Sequence, residues 1–296
     1  MLELRSVTKR FGTVRAVDGV SCLFPEGRVS GLLGPNGAGK TTIIRMIMDI
    51  LKPDSGSIEL GGDQSDRARK NGIGYLPEER GLYTRERVDD TLVYFAMLKG
   101  LSRHDAREQV TYFLDRLGMT SVAGERIKKL SKGNQQKIQF IATVVARPTL
   151  LILDEPFSGL DPVNVRIVSE IIRELNRDGM TIILSTHQMN QVEAFCENMF
   201  LINRGRLILE GEVGPIIESR SGSFVVIEGI GEIEANDLFE IVGQLDHGLK
   251  VRLHEGVDFH RLLAWIAKKR LPVTAVRPFR VPLSDVFIEA VEALDG

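Results

Sequence analysis

Two periods of apolar residues alternate along most of the chain. Short, nearly continuous apolar runs predict β-strands, and apolar residues repeated every three or four positions predict amphipathic helices. The predicted strands are residues 2–7, 20–24, 29–33, 150–153, 181–184 and 199–202. The predicted helices between them are residues 41–51, 163–176 and 189–196. This alternation predicts an α/β fold with an antiparallel β portion at the start of the chain.

Two regions depart from this alternation. Between about residues 86 and 146 the strand pattern disappears, and residues 87–99, 102–117 and 134–146 have the pattern of amphipathic helices, which predicts an inserted helical subdomain. After a predicted helix at 213–219, the polar run 219–223 is predicted to be a linker. A small α+β domain is expected beyond it, with strands at 224–228, 250–253 and 273–276 and helices at 259–268 and 284–294. The predicted domains are therefore 1–218 and 224–296.

Composition narrows the possible partners. The chain has 296 residues, of which 43% are hydrophobic and 26% charged, as in a globular protein. Its 38 basic and 40 acidic residues create no global positive field, so no nucleic-acid partner is expected. No uncharged stretch is long enough to span a bilayer, and the N-terminus lacks a signal-peptide pattern, so a cytoplasmic location is expected. Cys22 and Cys196 are predicted to be buried core residues.

A phosphate-binding motif follows the predicted strand 29–33 and opens the predicted helix 41–51. It fits the pattern GxxxxGK[ST], in which glycines let successive backbone N–H groups converge on one anion at a helix N-terminus. Lys40 is expected to reach the β- and γ-phosphates, Thr41 to bind Mg²⁺ and Thr42 to bind a neighbouring phosphate. The predicted nucleotide-binding residues form a phosphate cradle that consists of Gly34, Pro35, Asn36, Gly37, Ala38, Gly39, Lys40, Thr41 and Thr42.

Two adjacent carboxylates end the apolar strand at 150–153. Because neighbouring side chains on a strand point in different directions, Asp154 and Glu155 can serve different partners. We predict that Asp154 holds Mg²⁺, mostly through water, and that Glu155 polarises the attacking water. The cradle and these acids predict a P-loop NTPase.

A third motif decides the family. Residues 130–137, LSKGNQQK, resemble the ABC signature LSGGQ and the QQR that follows it, with Lys132 and Asn134 as departures. The resemblance implies a P-loop NTPase of the ABC cassette fold that binds and hydrolyses ATP with Mg²⁺. It further implies that Ser131, Gly133 and Asn134 contact the ATP held by a second nucleotide-binding subunit, in a homodimer or a heterodimer.

Further segments occur in the order found in ABC cassettes. Ser158 and Asp161 lie in a segment that resembles the D-loop, and His187 resembles the switch histidine, a catalytic residue. Taken alone, a histidine after a strand is more often a packed or surface residue. Phe11 resembles the aromatic residue that stacks on adenine, although taken alone it is more often a core residue. Glu78 occupies the position of the Q-loop glutamine, which implies a ligand of Mg²⁺.

The sequence GYLPEERGLY at 74–83 is similar to the corresponding segment in ATP-binding subunits of bacterial ABC-2 type exporters, including sodium-extruding and drug or peptide exporters. The tail from about residue 224 resembles the small C-terminal domain of that group. These resemblances imply an ATPase that powers an exporter by ATP-driven dimerisation. They also imply a transmembrane permease partner and a location on the inner face of the membrane.

Three other functions are alternatives to a transporter ATPase of this kind. A soluble ABC-type ATPase in repair or translation usually carries two cassettes or a long coiled coil, and this chain has a single cradle close to its signature. A regulatory module that binds ATP without turnover would not need Glu155 and His187. An importer ATPase is the third alternative. The acidic segment at 74–83 and the C-terminal tail are the features that distinguish an exporter ATPase from it. Contacts with the cargo are expected in the membrane partner.

Overall fold

The computed structural model describes residues 1–61, 72–79, 81–221 and 223–295. The chain forms two compact units, Met1–Val213 and Gly214–Gly296. The predicted domain limits, 1–218 and 224–296, differ from this division by a few residues and stay predictions, as does the subdomain at 86–146.

A six-stranded sheet forms the centre of the first unit. Its strands are β3 (Val29–Leu33), β5 (Ile73–Leu76), β6 (Leu150–Asp154), β7 (Thr181–Thr186), β8 (Asn198–Asn203) and β9 (Arg206–Glu212). The order is β5-β6-β7-β3-β8-β9, and all neighbours are parallel except β8 and β9. Every residue of β3, β6 and β7 is buried, which explains their continuous apolar runs. Because β3, β6 and β7 are parallel neighbours, their carboxyl ends meet at one edge.

An antiparallel sheet at the start of the chain completes the core of this unit. It consists of β1 (Leu2–Phe11), β2 (Val14–Phe24) and β4 (Ser55–Leu60), in the order β2-β1-β4. Phe24 of β2 packs on Phe200 of β8, with ring centroids 4.5 Å apart. The same apolar cluster includes Ile43 and Ile44 of α1 (Lys40–Ile47). The predicted antiparallel portion is confirmed.

Three helices occupy the segment between β5 and β6: α2 (Val88–Leu98), α3 (Arg103–Arg116) and α4 (Lys132–Val144). They correspond to the three helices predicted there. Two more helices of this unit are α5 (Pro162–Arg177) and α6 (Met189–Phe195). Arg116 and Tyr112 of α3 both hydrogen-bond to Glu174 of α5, at 2.8 Å each. Within the described residues, none of the helices has the length and apolar character needed to cross a membrane.

The second unit contains a four-stranded antiparallel sheet. Its elements are α7 (Val213–Ser221), which begins at the boundary, β10 (Phe224–Glu228), β11 (Phe239–Leu245), β12 (Gly248–Leu253), α8 (Phe259–Lys269), β13 (Ala275–Pro278) and α9 (Leu283–Asp295). The strand order is β11-β12-β10-β13, and Leu262 and Ile266 of α8 pack on the sheet. This arrangement matches the predicted α+β pattern.

The predicted linker at 219–223 is wrong over residues 219–221, which belong to α7. The hydroxyls of Ser219 and Ser221 donate hydrogen bonds to the carbonyls of Ile216 and Ile217 in the preceding turn. Serines can therefore continue a helix when their side chains bond back to it. Gly222 lies outside the described residues.

Both cysteines are buried and unpaired, as predicted. Burial raises the pKa of the Cys22 thiol to about 12, with Glu210 acting in the same direction. Burial also raises the pKa of the Cys196 thiol to about 12. Neither is therefore a reactive thiolate near neutral pH.

Candidate active site

A cavity of about 280 Å³ lies where the carboxyl ends of β3 and β6 meet. It brings together most of the predicted cradle and all three predicted carboxylates. Its lining residues are Ala16, Asn36, Gly37, Ala38, Gly39, Lys40, Thr41, Thr42, Glu78, Asp154 and Glu155. Phosphate-binding groups and acids from distant parts of the chain thus face one space.

Two glycines of the cradle adopt backbone conformations that other residues would strain. Gly34 has φ of 149°, and a Cβ atom there would lie 2.1 Å from the carbonyl oxygen of Ile202. Gly39 has φ of 109°, and its Cβ would lie 2.4 Å from the carbonyl oxygen of Ala16. The N-cap residue of α1 is Gly39, which has no side chain that could cap the helix. The start of α1 therefore presents backbone N–H groups to the cavity without a competing side chain.

Lys40 supplies the positive charge of the cradle. Its ammonium donates hydrogen bonds to the carbonyl oxygens of Gly34, at 2.6 Å, and Pro35, at 3.1 Å. Burial lowers the pKa of the Lys40 ammonium, and three nearby carboxylates act in the opposite direction. The loop thus holds the lysine inside the cavity, with its charge close to the acids.

The two carboxylates at the end of β6 have different partners, as predicted, although only Asp154 belongs to the strand and Glu155 follows it. Asp154 is buried and accepts a hydrogen bond of 2.7 Å from the Ser185 hydroxyl of β7. Burial raises the pKa of the Asp154 carboxyl, and the bond from Ser185 opposes this rise. Glu155 is also buried but has a left-handed backbone with φ of 50°. Such a conformation is strained for a residue other than glycine, and it persists only where the surrounding structure holds it in place.

His187 and Thr186 hold the Glu155 carboxylate. The backbone N–H of His187 donates to Oε1 of Glu155 at 2.9 Å, and its Nδ1 lies 2.6 Å from the same oxygen. The Thr186 hydroxyl lies 3.2 Å from Oε2. The His187 side chain is 53% exposed, so His187 is a surface residue and not a packed one, and its ring still contacts Glu155. The structure places it beside the predicted general base.

Phe11 lies at the end of β1 and is absent from the cavity lining. Phe11 is 48% exposed, and the Lys9 ammonium lies 5.9 Å from the centroid of its ring. The alternative that Phe11 is a core residue is therefore wrong, and its contact with adenine stays a prediction. Ala16 of β2 lines the cavity although the sequence contained no signal for it.

The signature residues lie at the start of α4, outside the cavity of their own chain. The Ser131 hydroxyl accepts a hydrogen bond of 3.2 Å from the backbone N–H of Asn134 and so caps the helix. A Cβ atom at Gly133 would lie 3.2 Å from the carbonyl oxygen of Gly159 in the predicted D-loop. The two predicted interface segments are thus neighbours on one surface.

The predicted D-loop leads into α5. Ser158 is exposed, and Asp161 caps the helix by accepting hydrogen bonds of 3.0 Å from the backbone N–H groups of Val163 and Asn164. The bonds from Asn164 are the main cause that lowers the pKa of the Asp161 carboxyl. Asp161 therefore has a structural role within its own chain, and its role across an interface stays a prediction.

Comparison with known proteins places this architecture in a family. The family model described as ABC transporter matches residues 17–158. The ABC transporter ATP-binding protein YhaQ of Bacillus subtilis is 40% identical over 300 residues, which cover 99% of this chain and 99% of YhaQ. The chain belongs to the family of ABC transporter ATP-binding proteins.

Two further similarities extend this assignment. The Nod factor export ATP-binding protein I of Burkholderia thailandensis is 37% identical over 228 residues, or 76% of this ABC protein and 75% of that one. A solved structure of an ATP binding subunit of an ABC transporter superposes with a TM-score of 0.69 and 27% identity, over 73% of this chain and 91% of that chain. The predicted ABC cassette fold is confirmed. As a member of this family, the protein is an ATPase that powers a transporter.

Three residues that support the site were not predicted from the sequence. Ser185 and Thr186 hold the two carboxylates. The available signal was a pair of hydroxyl residues at the end of an otherwise apolar strand. Gln139, a buried amide on α4, contacts the loop that carries Glu78. Its signal was a polar residue between the apolar residues Ile138 and Phe140.

Proposed function

We propose that this ABC ATP-binding subunit powers an exporter as one half of a head-to-tail pair docked on a transmembrane permease. One observation carries the proposal. The cavity contains the phosphate cradle and the carboxylates, while the signature residues Ser131 and Gly133 lie outside it. A second subunit would bring its own signature helix to this cavity and complete the site.

Hydrolysis would use the cradle and the Glu155–His187 pair. The triphosphate binds to the N–H groups at the start of α1 and to Lys40. Glu155 takes a proton from the water that attacks the γ-phosphorus, and the bond to the ADP oxygen breaks. His187, bonded to Glu155 by its main chain and its ring, holds that carboxylate in place.

Mg²⁺ fits the oxygen donors of the cavity. The Thr41 hydroxyl and the carboxylates of Asp154 and Glu78 line the same space, and hard oxygen ligands are those that Mg²⁺ prefers. When bound, the ion would neutralise charge on the β- and γ-phosphate oxygens. We therefore assign these three residues to the metal and the neighbouring Thr42 to a phosphate.

An aromatic patch beyond Glu78 supports docking on a permease at the inner face of the membrane. Tyr83 is 56% exposed, stacks on Phe95 with centroids 6.0 Å apart, and meets Tyr94 edge-on at 6.4 Å. Met97 and Leu98 continue the exposed apolar surface. An exposed patch of this kind suits a protein partner. The predicted Arg80 of this loop lies outside the described residues.

The exporter direction rests on two supports. The segment 74–83 has a sequence similar to that of exporter ATPases, and one relative is named for Nod factor export. The cargo would be bound by the permease, so this chain does not identify it.

Docking can be separated from catalysis by replacing Leu82 and Tyr83 with serine. ATP hydrolysis by the isolated chain should stay nearly unchanged, whereas transport and recovery with the membrane fraction should both fall. Leu23→Ser, which changes an exposed apolar residue of the antiparallel sheet, is the matched control. Recovery of the double variant with the membrane at the parental level would exclude docking at this loop. A parent chain that never associates with membranes containing its native partners would exclude the permease itself.

A further inference from the structure

Gln139 is a buried amide in the middle of α4, on the side that meets the loop after β5. The residue is 4% exposed. Nε2 of Gln139 donates to the carbonyl oxygens of Pro77, at 3.4 Å, and Glu79, at 3.1 Å. These carbonyls belong to the two residues on either side of Glu78. One amide group thus clamps the backbone around the residue that lines the nucleotide cavity.

Packing alone does not explain a glutamine at this position. In the part of the chain that the structure describes, Oε1 of Gln139 is buried and has no hydrogen-bond partner. A buried polar atom without a partner is destabilising, and an apolar residue of similar size would avoid that penalty. The two bonds from Nε2 are therefore what the amide contributes, and both go to the loop that carries Glu78.

We propose that Gln139 is a positioning residue that holds Glu78 toward the metal side of the cavity. The inference rests on the proposed metal role of Glu78. It also ties the metal-side loop to α4, the helix whose first turn carries the signature residues Ser131 and Gly133. Loss of the clamp frees the loop without removing the carboxylate itself.

The first test measures the loop directly and needs no metal. A nitroxide label is attached to a cysteine introduced at exposed Glu79, because burial and a raised thiol pKa protect Cys22 and Cys196. Gln139→Met should shorten the rotational correlation time of the label by about twofold or more. Gln136→Met is the matched control, since Gln136 is equally buried on the same helix and also has an unpartnered amide atom. The control should leave the label unchanged.

The second test measures the metal dependence of nucleotide binding. A fluorescent ATP analogue is titrated with Mg²⁺ in a Glu155→Gln background, which prevents turnover. Gln139→Met should raise the Mg²⁺ concentration for half-maximal binding about fivefold, the effect expected from the loss of weak hydrogen bonds. The melting temperature should stay within about 2 °C of the parent, since the variant also removes the unpartnered oxygen. Gln139→Leu, which is of similar size and cannot donate to the carbonyls, should behave in the same way.

Variants of Glu78 and Gln139 together separate this inference from the proposed function. If Glu78→Ala leaves the Mg²⁺ dependence unchanged, the metal role of Glu78 is wrong, and the label still tests the clamp. If Glu78→Ala shifts the dependence while both Gln139 variants leave the label and the dependence at parental values, the positioning role is wrong. The double variant Glu78→Ala, Gln139→Met should match Glu78→Ala alone, because Gln139 acts through Glu78.

Discussion

Two helix N-termini of the same domain differ in how they are prepared to meet phosphate. The start of α1 lies inside the cavity, follows Gly39 in a left-handed conformation and has no side-chain cap. The start of α4 lies outside that cavity, and the Ser131 hydroxyl already caps it by accepting a bond from Asn134. Both have the favourable dipole of a helix end. They differ in their surroundings: described residues of the same chain form this cavity around the start of α1 but not around the start of α4.

The difference shows how one chain can contain two halves of a site that do not face each other. The N–H groups at the start of α1 and the Lys40 ammonium converge on one space that also contains carboxylates. Ser131, in contrast, satisfies a backbone donor internally, and its hydroxyl proton stays available for an outside acceptor. Such an arrangement is stable without ATP and becomes a binding surface only against another molecule.

The largest expected effect lies on the α1 side, in the variant Glu155→Gln. Turnover should fall by about 10²-fold or more because the general base is removed, while ATP binding is kept. With hydrolysis blocked, ATP should stabilise the pair, which makes the α4 surface measurable by light scattering. Adding Ser131→Arg should then abolish ATP-dependent pairing. Near-normal hydrolysis by Glu155→Gln would remove this residue from the mechanism.

A second pair of variants compares the two glycines. Gly34→Ala places a Cβ atom 2.1 Å from the backbone oxygen of Ile202 at φ of 149°. It should destabilise the fold by about 1–3 kcal/mol and weaken ATP binding. Gly133→Ala meets the Gly159 oxygen at 3.2 Å and should change stability by less than about 1 kcal/mol. Gly133→Ala should instead lower the rate of ATP hydrolysis by the paired subunits. Thermal melting and nucleotide titration of both variants measure these effects. Equal melting temperatures of the two variants would contradict the predicted difference in stability.

The smallest expected effect is a partial rescue that tests the two halves together. Lys40→Ala disables the α1 side of one chain, and Ser131→Arg disables the α4 side of another. Random mixing makes half of the pairs mixed, each with one intact composite site, so at most about a quarter of the parental ATPase rate should return. A mixture no more active than either variant, with pairing demonstrated by light scattering, would exclude the composite site.

The helices and strands around the site could be predicted where neighbouring residues in the sequence form a clear apolar pattern. The buried strands β3, β6 and β7 were recognised from continuous apolar runs. Strands β4, β5, β9 and β11 were not predicted, because they are short or partly exposed and lack a clear apolar pattern. The predicted helix 41–51 ends early, at Ile47, and the chain turns at Asp49 with φ of 59°.

The sequence by itself determined the cradle, the paired acids and the family, because each depends on residues that are neighbours along the chain. The glycines and Lys40 fit one loop conformation, and an apolar strand delivers Asp154 and Glu155 to a sheet edge. Only the tertiary structure decided that His187 bonds to Glu155 and that Gln139 clamps the loop of Glu78. Periodicity reports which face of an element is buried, and it contains no information about which distant residue lies opposite that face.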